Sequence, residues 1–359
     1  MASLFITNPT NIRYLTGFVG LPAQAGVEQR DAYLLLLETK AFLFVSPLYQ
    51  EEAKILQFNN SFLKKQFPKT KTLDINILTP DNRIGKQLTN ICANEKIQTL
   101  SFESENVTVS EYEAFKNVAP TFSPTQNIIE KLRMQKFPSE IASITKATKL
   151  TDDCFEFVQT KIQMGVTETE LAWEIETFFR KNDAQNAFPP IVAFGNNSSI
   201  PHFQPTRRVL VDNDIILLDF GARVNGYCAD MTRMVFFGKP KPEWLAAYNA
   251  VLKAQTVALE TLTTSRSGKI IDQSARDILS QSEFSTYPHS LGHGVGLDIH
   301  EAPRLTVHND ATLSEGMIVT VEPGTYIEGS YGIRIEDLVL LHKDKVEILS
   351  KSPKEIITL

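Results

Sequence analysis

Residues 215–237 read IILLDFGARVNGYCADMTRMVFF. Two apolar, β-rich runs flank Asn225-Gly226, a dipeptide that suits a two-residue hairpin turn because both positions accept positive φ. With those two at the centre of the turn, Val224 pairs with Tyr227. The same register sets Asp219 opposite Thr232, with Asp230 two residues away on the same face. Diagonal neighbours in such a ribbon lie roughly 7–8 Å apart, within reach of a shared ligand. A carboxylate inside the apolar run ILLDF is therefore aimed at a second carboxylate. Two like charges in an apolar setting need something positive between them. Neither position resembles a helix start, which argues against reading either Asp as a cap. The stretch predicts a β-hairpin that carries metal ligands.

Working outward, the chain has 359 residues, beyond the ~250–300 at which one core stops growing, so two domains are expected. Its 42% hydrophobic and 22% charged content is that of an ordinary globular protein. A net charge of −6 argues against a broad electrostatic grip on nucleic acid or an anionic membrane. The start of the chain lacks the basic, apolar and small-residue pattern of a signal peptide. No apolar run approaches the ~20 residues of a membrane span. Cys92, Cys154 and Cys228 are scattered, forming neither a disulfide framework nor a thiolate zinc site. A cytoplasmic, reduced compartment is the simplest expectation.

Residues 1–125 alternate short strand-like and helix-like runs, which predicts an α/β domain. RDAYLLLLET and KAFLFVSPLY read as neighbouring buried strands turning near Thr39-Lys40. Residues 50–65 read as a helix, TLDINIL as a strand, 83–94 as a helix and TLSFES as a strand. Asn11-Ile12-Arg13-Tyr14-Leu15-Thr16-Gly17 reads as a structural loop. Residues 126–137 read as a linker, and 138–359 as the second domain. There Pro138 opens a helix expected to run to about residue 164, with Glu140 favourable in its first turn. Thr167-Glu168-Thr169-Glu170 is a capping-box pattern leading into LAWEIETFFRKND. Helices are also expected over 243–262 and 269–280. The domain is thus two helix–strand blocks: helices at 138–183, strands at 188–237, helices at 243–281 and strands at 286–341. That order hints at internal pseudo-symmetry.

Four further stretches carry candidate ligands. Ser290-Leu291-Gly292-His293-Gly294-Val295-Gly296 sets a histidine between glycines, where backbone can approach a ligand closely. Ile318-Val319-Thr320-Val321-Glu322 is an apolar strand ending in a carboxylate. In Gly332-Ile333-Arg334-Ile335-Glu336-Asp337, Arg334 and Glu336 share one face and Ile333 and Ile335 the other. Ile200-Pro201-His202 follows a Gly/Asn/Ser loop. Asp219, Asp230, Glu322 and Glu336 supply about four negative charges, which two divalent cations balance, with His293 completing one shell. Carboxylates plus one imidazole suit manganese or a similar hard ion better than a thiolate-loving one. Two such ions ~3.5–4 Å apart share a water and lower its pKa toward neutrality, which implies hydrolysis without a covalent protein intermediate. No nucleophile elbow or catalytic-cysteine signature competes with that reading. His308 and His342 match no motif and read as surface residues, and Cys228 reads as small-residue packing near Asp230.

LLDFGARVNGYCADMTR, HSLGHGVGLDIHEAPR, VEPGTYI and GIRIEDLVL resemble the signature blocks of the Xaa-Pro peptidases. These form the aminopeptidase P and prolidase branch of the metallopeptidase family with the pita-bread fold. All five ligand types stand in that family's order and spacing, and the resemblance covers most of 138–345. Residues 1–125 resemble its creatinase-like N-terminal domain. The implied fold is α/β (α+β), with a catalytic pita-bread domain of pseudo-two-fold symmetry. The resemblance further implies that Asp219 and Asp230 hold one side of the metal pair and that Glu322 and Glu336 bridge it. By the same resemblance His293 would bind one metal alone, and Glu322 would also shuttle the proton. His202, His289 and His300 fall where the family keeps histidines that hold the scissile carbonyl and steady the tetrahedral intermediate. Tyr326 and Arg334 match positions that orient the ligands. Arg304 closes HEAPR as in some microbial prolidases, where an arginine holds the substrate's C-terminal carboxylate.

The implied activity is hydrolysis of the bond between an N-terminal residue and proline. It leans toward Xaa-Pro dipeptides, with aminopeptidase P action on longer peptides as the alternative. The implied cofactors are two divalent ions, Mn2+ first and Co2+ or Zn2+ next. The implied partners are proline-containing di- or oligopeptides and a second copy of the chain in a homodimer, with no nucleic acid and no membrane. Three other readings stand beside this one. Methionine aminopeptidases share the five ligands but usually lack the N-terminal domain. Creatinase-like amidinohydrolases share the two-domain shape but lack the ligands. A non-catalytic pita-bread binding module would have lost several of them.

Overall fold

The computed structural model describes residues 3–20, 30, 32–56 and 66–359. The chain divides into two compact units, Met1–Arg133 and Met134–Leu359.

The first unit is built on a six-stranded mixed sheet, in the spatial order Thr72–Ile77, Lys40–Val45, Ala32–Leu36, Ser3–Ile6, Thr99–Glu103, Thr121–Thr125. Ala32–Leu36 and Lys40–Val45 are the two strands expected around Thr39-Lys40, paired antiparallel with Leu34 opposite Leu43. Most residues of both are buried, which is why they read as continuous apolar runs rather than alternating ones. The motif around Asn11 is not a loop. It lies in the helix Pro9–Thr16, capped by the Asn8 side chain and closed by Gly17 in the left-handed conformation at φ +80°. Eight residues give little periodicity to read, and Asn11 is consumed by burial, donating to Glu103 and Glu130. The helix expected over 50–65 is present as Gln50–Ile55, and residues 57–65 lie outside the described ones. Residues 128–134, read as connecting chain, form the helix Ile128–Met134. Arg133 there is buried and donates to Asn11 Oδ1 at 2.8 Å.

The second unit repeats one order of elements. Helices Pro138–Gln159 and Glu168–Lys181 precede the strands up to Thr232–Phe237. Helices Pro242–Thr261 and Gly268–Ser280 precede those from Gly292–Gly294 to Val346–Ile348. The helix starts follow local chemistry. Glu140 accepts from the Phe137 N–H at 2.9 Å with Pro138 at the first position. Thr167 and Glu170 form the expected capping box. The first helix stops at Gln159, five residues short of expectation.

The hairpin register holds. Val224 pairs with Tyr227 and Asp219 with Thr232, and Asn225 and Gly226 adopt φ of +53° and +89°. All of Asp214–Asp219 is buried. Ile215 and Leu217 point into a core with Trp244, Tyr248, Val251 and Ile271, from the later helix pair. Ile216 and Leu218 point into a second core with Phe155, Leu171, Ile175 and Phe179, from the earlier pair. The hairpin is thus a wall between two helix layers, and Leu217→Ala or Leu218→Ala is expected to cost about 2–5 kcal/mol. Asp219 has the parity of Ile215 and Leu217, so it emerges on the face shared with Val319, Val321, Ile333 and Ile335. Among the described residues no helix is long and apolar enough to cross a membrane.

Candidate metal centre and active site

A cavity of about 440 Å3 opens on that face. It is lined by Asp219, Asp230, His293, Glu322 and Glu336, together with His202, His289, His300, Arg304 and Arg334. Residues from five separate stretches of sequence therefore meet in one place. One ligand atom from each of Asp230, His293 and Glu336 lies within 4.8 Å of the others. His293 Nε2 stands 3.3 Å from Glu322 Oε1 and 3.6 Å from Asp230 Oδ2. Its Nδ1 lies 3.1 Å from the Gly294 carbonyl; a proton there leaves Nε2 bare toward the acids, the tautomer a ligand needs. Gly292 and Gly294 flank it for a reason other than ligand approach. A Cβ on Gly292 would meet the Thr320 carbonyl at 2.0 Å, and one on Gly294 the Ala302 carbonyl at 2.3 Å. The glycines let the histidine's strand pack between its neighbours.

The electrostatics are those of an acidic cluster short of positive charge. Burial pushes the Asp230 and Glu336 carboxyls well above their ordinary values, and the neighbouring carboxylates add to it. Burial raises Asp219 too, against the pull of Arg334, which is in direct ion-pair contact with it. Burial also acts upward on Glu322, but the contact with His293 and the pull of His289 and the Arg334 guanidinium outweigh it and bring it to about 2. Glu322 is therefore ionised at neutral pH, with its side chain 15% open to the cavity. Thr320 Oγ1 donates to it at 3.2 Å.

The remaining residues expected at the site fall into two groups. His202, His300 and Arg304 stand on the cavity wall with no role in the acidic cluster, and the His300 ring packs edge-on against His293 at 4.4 Å. Burial, then His293 and Arg304, lowers His300 to about 4, so its ring is neutral at pH 7. His289 differs, because its Nδ1 meets the Ser290 carbonyl at 2.8 Å and its Nε2 the Tyr326 hydroxyl at 2.9 Å. Both ring nitrogens are occupied, so the ring orients its neighbours. Tyr326 accepts from Arg334 at 2.8 Å, and Arg334 Nε donates to Thr232 Oγ1 at 3.0 Å. Thr232 in turn donates to Glu336 at 2.7 Å. A chain of hydrogen bonds thus runs from His289 to two carboxylates of the cluster.

Family-model matches agree with this division. Residues 142–343 match the model described as Metallopeptidase family M24, and residues 1–135 the Creatinase/Prolidase N-terminal domain. The chain belongs to metallopeptidase family M24. It is 33% identical to a protein named a putative Xaa-Pro aminopeptidase in Mycoplasma genitalium, over 98% of this chain and 92% of that one. The structure resembles the Xaa-Pro dipeptidase from Bacillus anthracis with a TM-score of 0.86 and 34% identity, covering 99% of this chain and 95% of that one. It resembles the X-Pro aminopeptidase from Thermotoga maritima with a TM-score of 0.86 and 30% identity, covering 100% and 98%.

As a member of family M24 the chain is a hydrolase of divalent-metal type, and its residues fit a metal. Among the described residues, the two carboxylate oxygens buried without a hydrogen-bond partner are Asp219 Oδ1 and Glu336 Oε1. Buried acceptors without donors are rare unless an ion or water completes them. Cys228 is not part of the set: its Sγ faces the Leu297 carbonyl at 3.7 Å.

Three supports of this M24 site escaped the sequence reading. Arg233, 1% exposed, donates to the carbonyls of Thr232, Ser352 and Pro353 and pairs with Asp337 at 2.7 Å. It also contacts the Glu336 carbonyl, so it fixes the backbone of a candidate ligand. Arg276 pairs with Asp272 and donates to the Tyr287 and His289 carbonyls at 2.9 and 2.8 Å. Glu168 binds the backbone before and after His202. The signals were there, namely an arginine inside the apolar run TRMVFF and an Asp–Arg pair four apart on a helix.

Proposed function

We propose that this chain hydrolyses the peptide bond between an N-terminal residue and a following proline, with two divalent ions held by Asp219, Asp230, His293, Glu322 and Glu336. The observation that carries it is the convergence of four carboxylates and one imidazole in a single cavity, two of whose buried oxygens lack a donor among the described residues. The names borne by the relatives supply the proline preference. Phe188, Pro189, Ile191 and Ile299 give the cavity apolar wall suited to a pyrrolidine ring. Manganese is the ion best matched to this oxygen-rich set, with cobalt and zinc next.

Bound divalent ions supply Lewis-acid chemistry, acidifying water and drawing charge from the scissile carbonyl. The protein does the rest. Glu322, ionised and open to the cavity, takes the proton of the attacking water and returns it to the leaving proline nitrogen. His300, neutral near pH 7, donates an N–H to the oxygen that gains charge, and His202 approaches from the other stretch. His289 and Tyr326 keep Arg334 on Asp219, so the cluster does not relax when substrate enters.

Within this reading we favour Xaa-Pro dipeptides over longer peptides, because Arg304 lines the cavity and its guanidinium has no carboxylate partner among the described residues. A planar guanidinium binds a terminal carboxylate through two parallel hydrogen bonds. The test compares kcat/KM for Ala-Pro, its C-terminal amide and Ala-Pro-Ala, in the native protein and in Arg304→Ala. A preference for the free dipeptide that falls about tenfold in the variant is expected; a solvated rim position gives less than the 2–5 kcal/mol of a buried pair. Equal rates on all three substrates make the activity that of an aminopeptidase P.

A further inference from the structure

Glu168 is not among the residues that line the cavity, yet it is wholly buried and its carboxylate accepts from four donors. Oε1 accepts from the Phe194 N–H and Asn197 Nδ2, both at 2.8 Å. Oε2 accepts from the Thr206 N–H at 3.0 Å and Thr206 Oγ1 at 2.6 Å. The two oxygens therefore grip opposite ends of one excursion of the chain, residues 194–206. That excursion leaves the strand Ile191–Phe194, makes a short 310 turn at Gly195–Ser199, and presents Pro201, His202 and Gln204 to the cavity before it returns. Its middle is fastened separately, by Ser198 Oγ accepting from the Gly332 N–H at 2.9 Å and by the Pro201 carbonyl accepting from Arg334. Between those points no hydrogen bond of the His202 ring itself is present among the described residues. The aim of His202 is set by the loop that carries it, and the closure of that loop is set by Glu168.

We infer that Glu168 is the positioning residue for His202, a carboxylate clasp that holds both ends of the 194–206 loop so that His202 meets the substrate. The chemistry favours this over a general structural role. A buried carboxylate with four donors makes charge-assisted bonds that are stronger and better directed than neutral ones. A loop held at both ends has few ways to shift its tip. No ligand of the acidic cluster is fastened to Glu168, so its loss should reach turnover without reaching the metals. The inference rests on the activity proposed above.

The experiment uses the full-length protein loaded with manganese. In Glu168→Gln, one amide N–H faces two donors in place of an acceptor, while size and shape are kept. The measured quantities are metal content, kcat/KM for Ala-Pro, and amide hydrogen exchange over 195–206, each with and without His202→Ala. Misplacing a reacting group by about 1 Å typically costs ~10²-fold, so a loss of roughly 10–100-fold is expected for Glu168→Gln at unchanged metal content. His202→Ala should then cost far less in the Glu168→Gln background than in the native one, since residues acting as one unit are not additive. The exchange of 195–206 should quicken. Equal costs of His202→Ala in both backgrounds, or loss of metal from Glu168→Gln, overturns the inference. Where Glu168→Gln does not fold, Thr206→Val removes one of the four bonds from a solvent-facing residue. A several-fold loss with the same non-additivity supports the clasp, and unchanged kcat/KM overturns it. If the native protein cleaves no Xaa-Pro substrate, the proposed activity fails, and faster exchange in Glu168→Gln still supports the clasp while unchanged exchange overturns it.

Discussion

Two buried acidic groups, one in each unit, behave differently in the fold. In the first unit, Glu103 Oε2 accepts from the N–H groups of Thr7 and Asn8 at 2.7 and 2.8 Å, and Oε1 from Asn11 at 2.6 Å. Glu130 adds a second carboxylate through the same Asn11, which Arg133 holds from its other side. In the second unit, Asp219 and Glu336 each bury an oxygen that meets no donor among the described residues. Burial raises Glu103 just as it raises Asp219, Asp230 and Glu336. Neither burial nor acidity separates the two clusters. What separates them is whether every oxygen finds a donor inside the chain. A closed cluster fastens a fold, whereas an open one is built to be completed from outside.

The largest effect should come from removing what completes the open cluster. Exhaustive chelation is expected to abolish peptidase activity and added manganese or cobalt to restore it. Full turnover in dialysed, metal-free protein would break the contrast. Asp219→Asn should lower metal content, and Glu103→Gln should leave both metal content and kcat unchanged.

A sharper cut runs within the cavity. Glu322→Ala is expected to be metal-poor and inactive. His300→Ala should keep its metals and lose ~10²–10³ in kcat, the usual consequence of deleting one donor to developing charge. A His300→Ala protein that has lost its metals places that ring among the ligands.

The smallest effect is the most telling, because the two clusters should answer with opposite sign. In metal-free protein, Asp230→Asn relieves crowding among four carboxylates and is expected to leave stability unchanged or raise it by about 1 kcal/mol. Glu103→Gln strands donors that were satisfied and is expected to cost roughly 1–3 kcal/mol. Urea denaturation of the two variants measures both, and destabilisation of like size in each would erase the distinction.

Much of the site was legible because its determinants are local. Asn225-Gly226 fixes a register by turn geometry alone, and that register places Asp219 against Thr232 without further information. The two helix–strand blocks were legible for the same reason, since caps and apolar periodicity are written within a few residues. The Asn11 helix was not, although Asn8, Pro9 and Gly17 mark its ends locally, because eight residues carry too little periodicity; the bonds that bury Asn11 reach Glu103, Glu130 and Arg133, 92 to 122 residues away. The supports behind the acidic cluster were hidden likewise. Arg233 reaches carbonyls of residues 352 and 353, and no window of sequence joins them. His289, expected beside His202 and His300 at the substrate, lines the cavity, but the fate of its two nitrogens depends on Tyr326, 37 positions on.

The hairpin wall also governs how the second unit comes apart. Each of its strands lends one face to the core of the earlier helix pair and the other to the core of the later pair. Neither pair can detach without baring a strand that its counterpart still needs. The repeated order of elements therefore does not make two halves that melt independently. The amides of Asp214–Asp219 and Thr232–Phe237 should open only in the global transition, and both helix pairs should lose protection together, in one cooperative step.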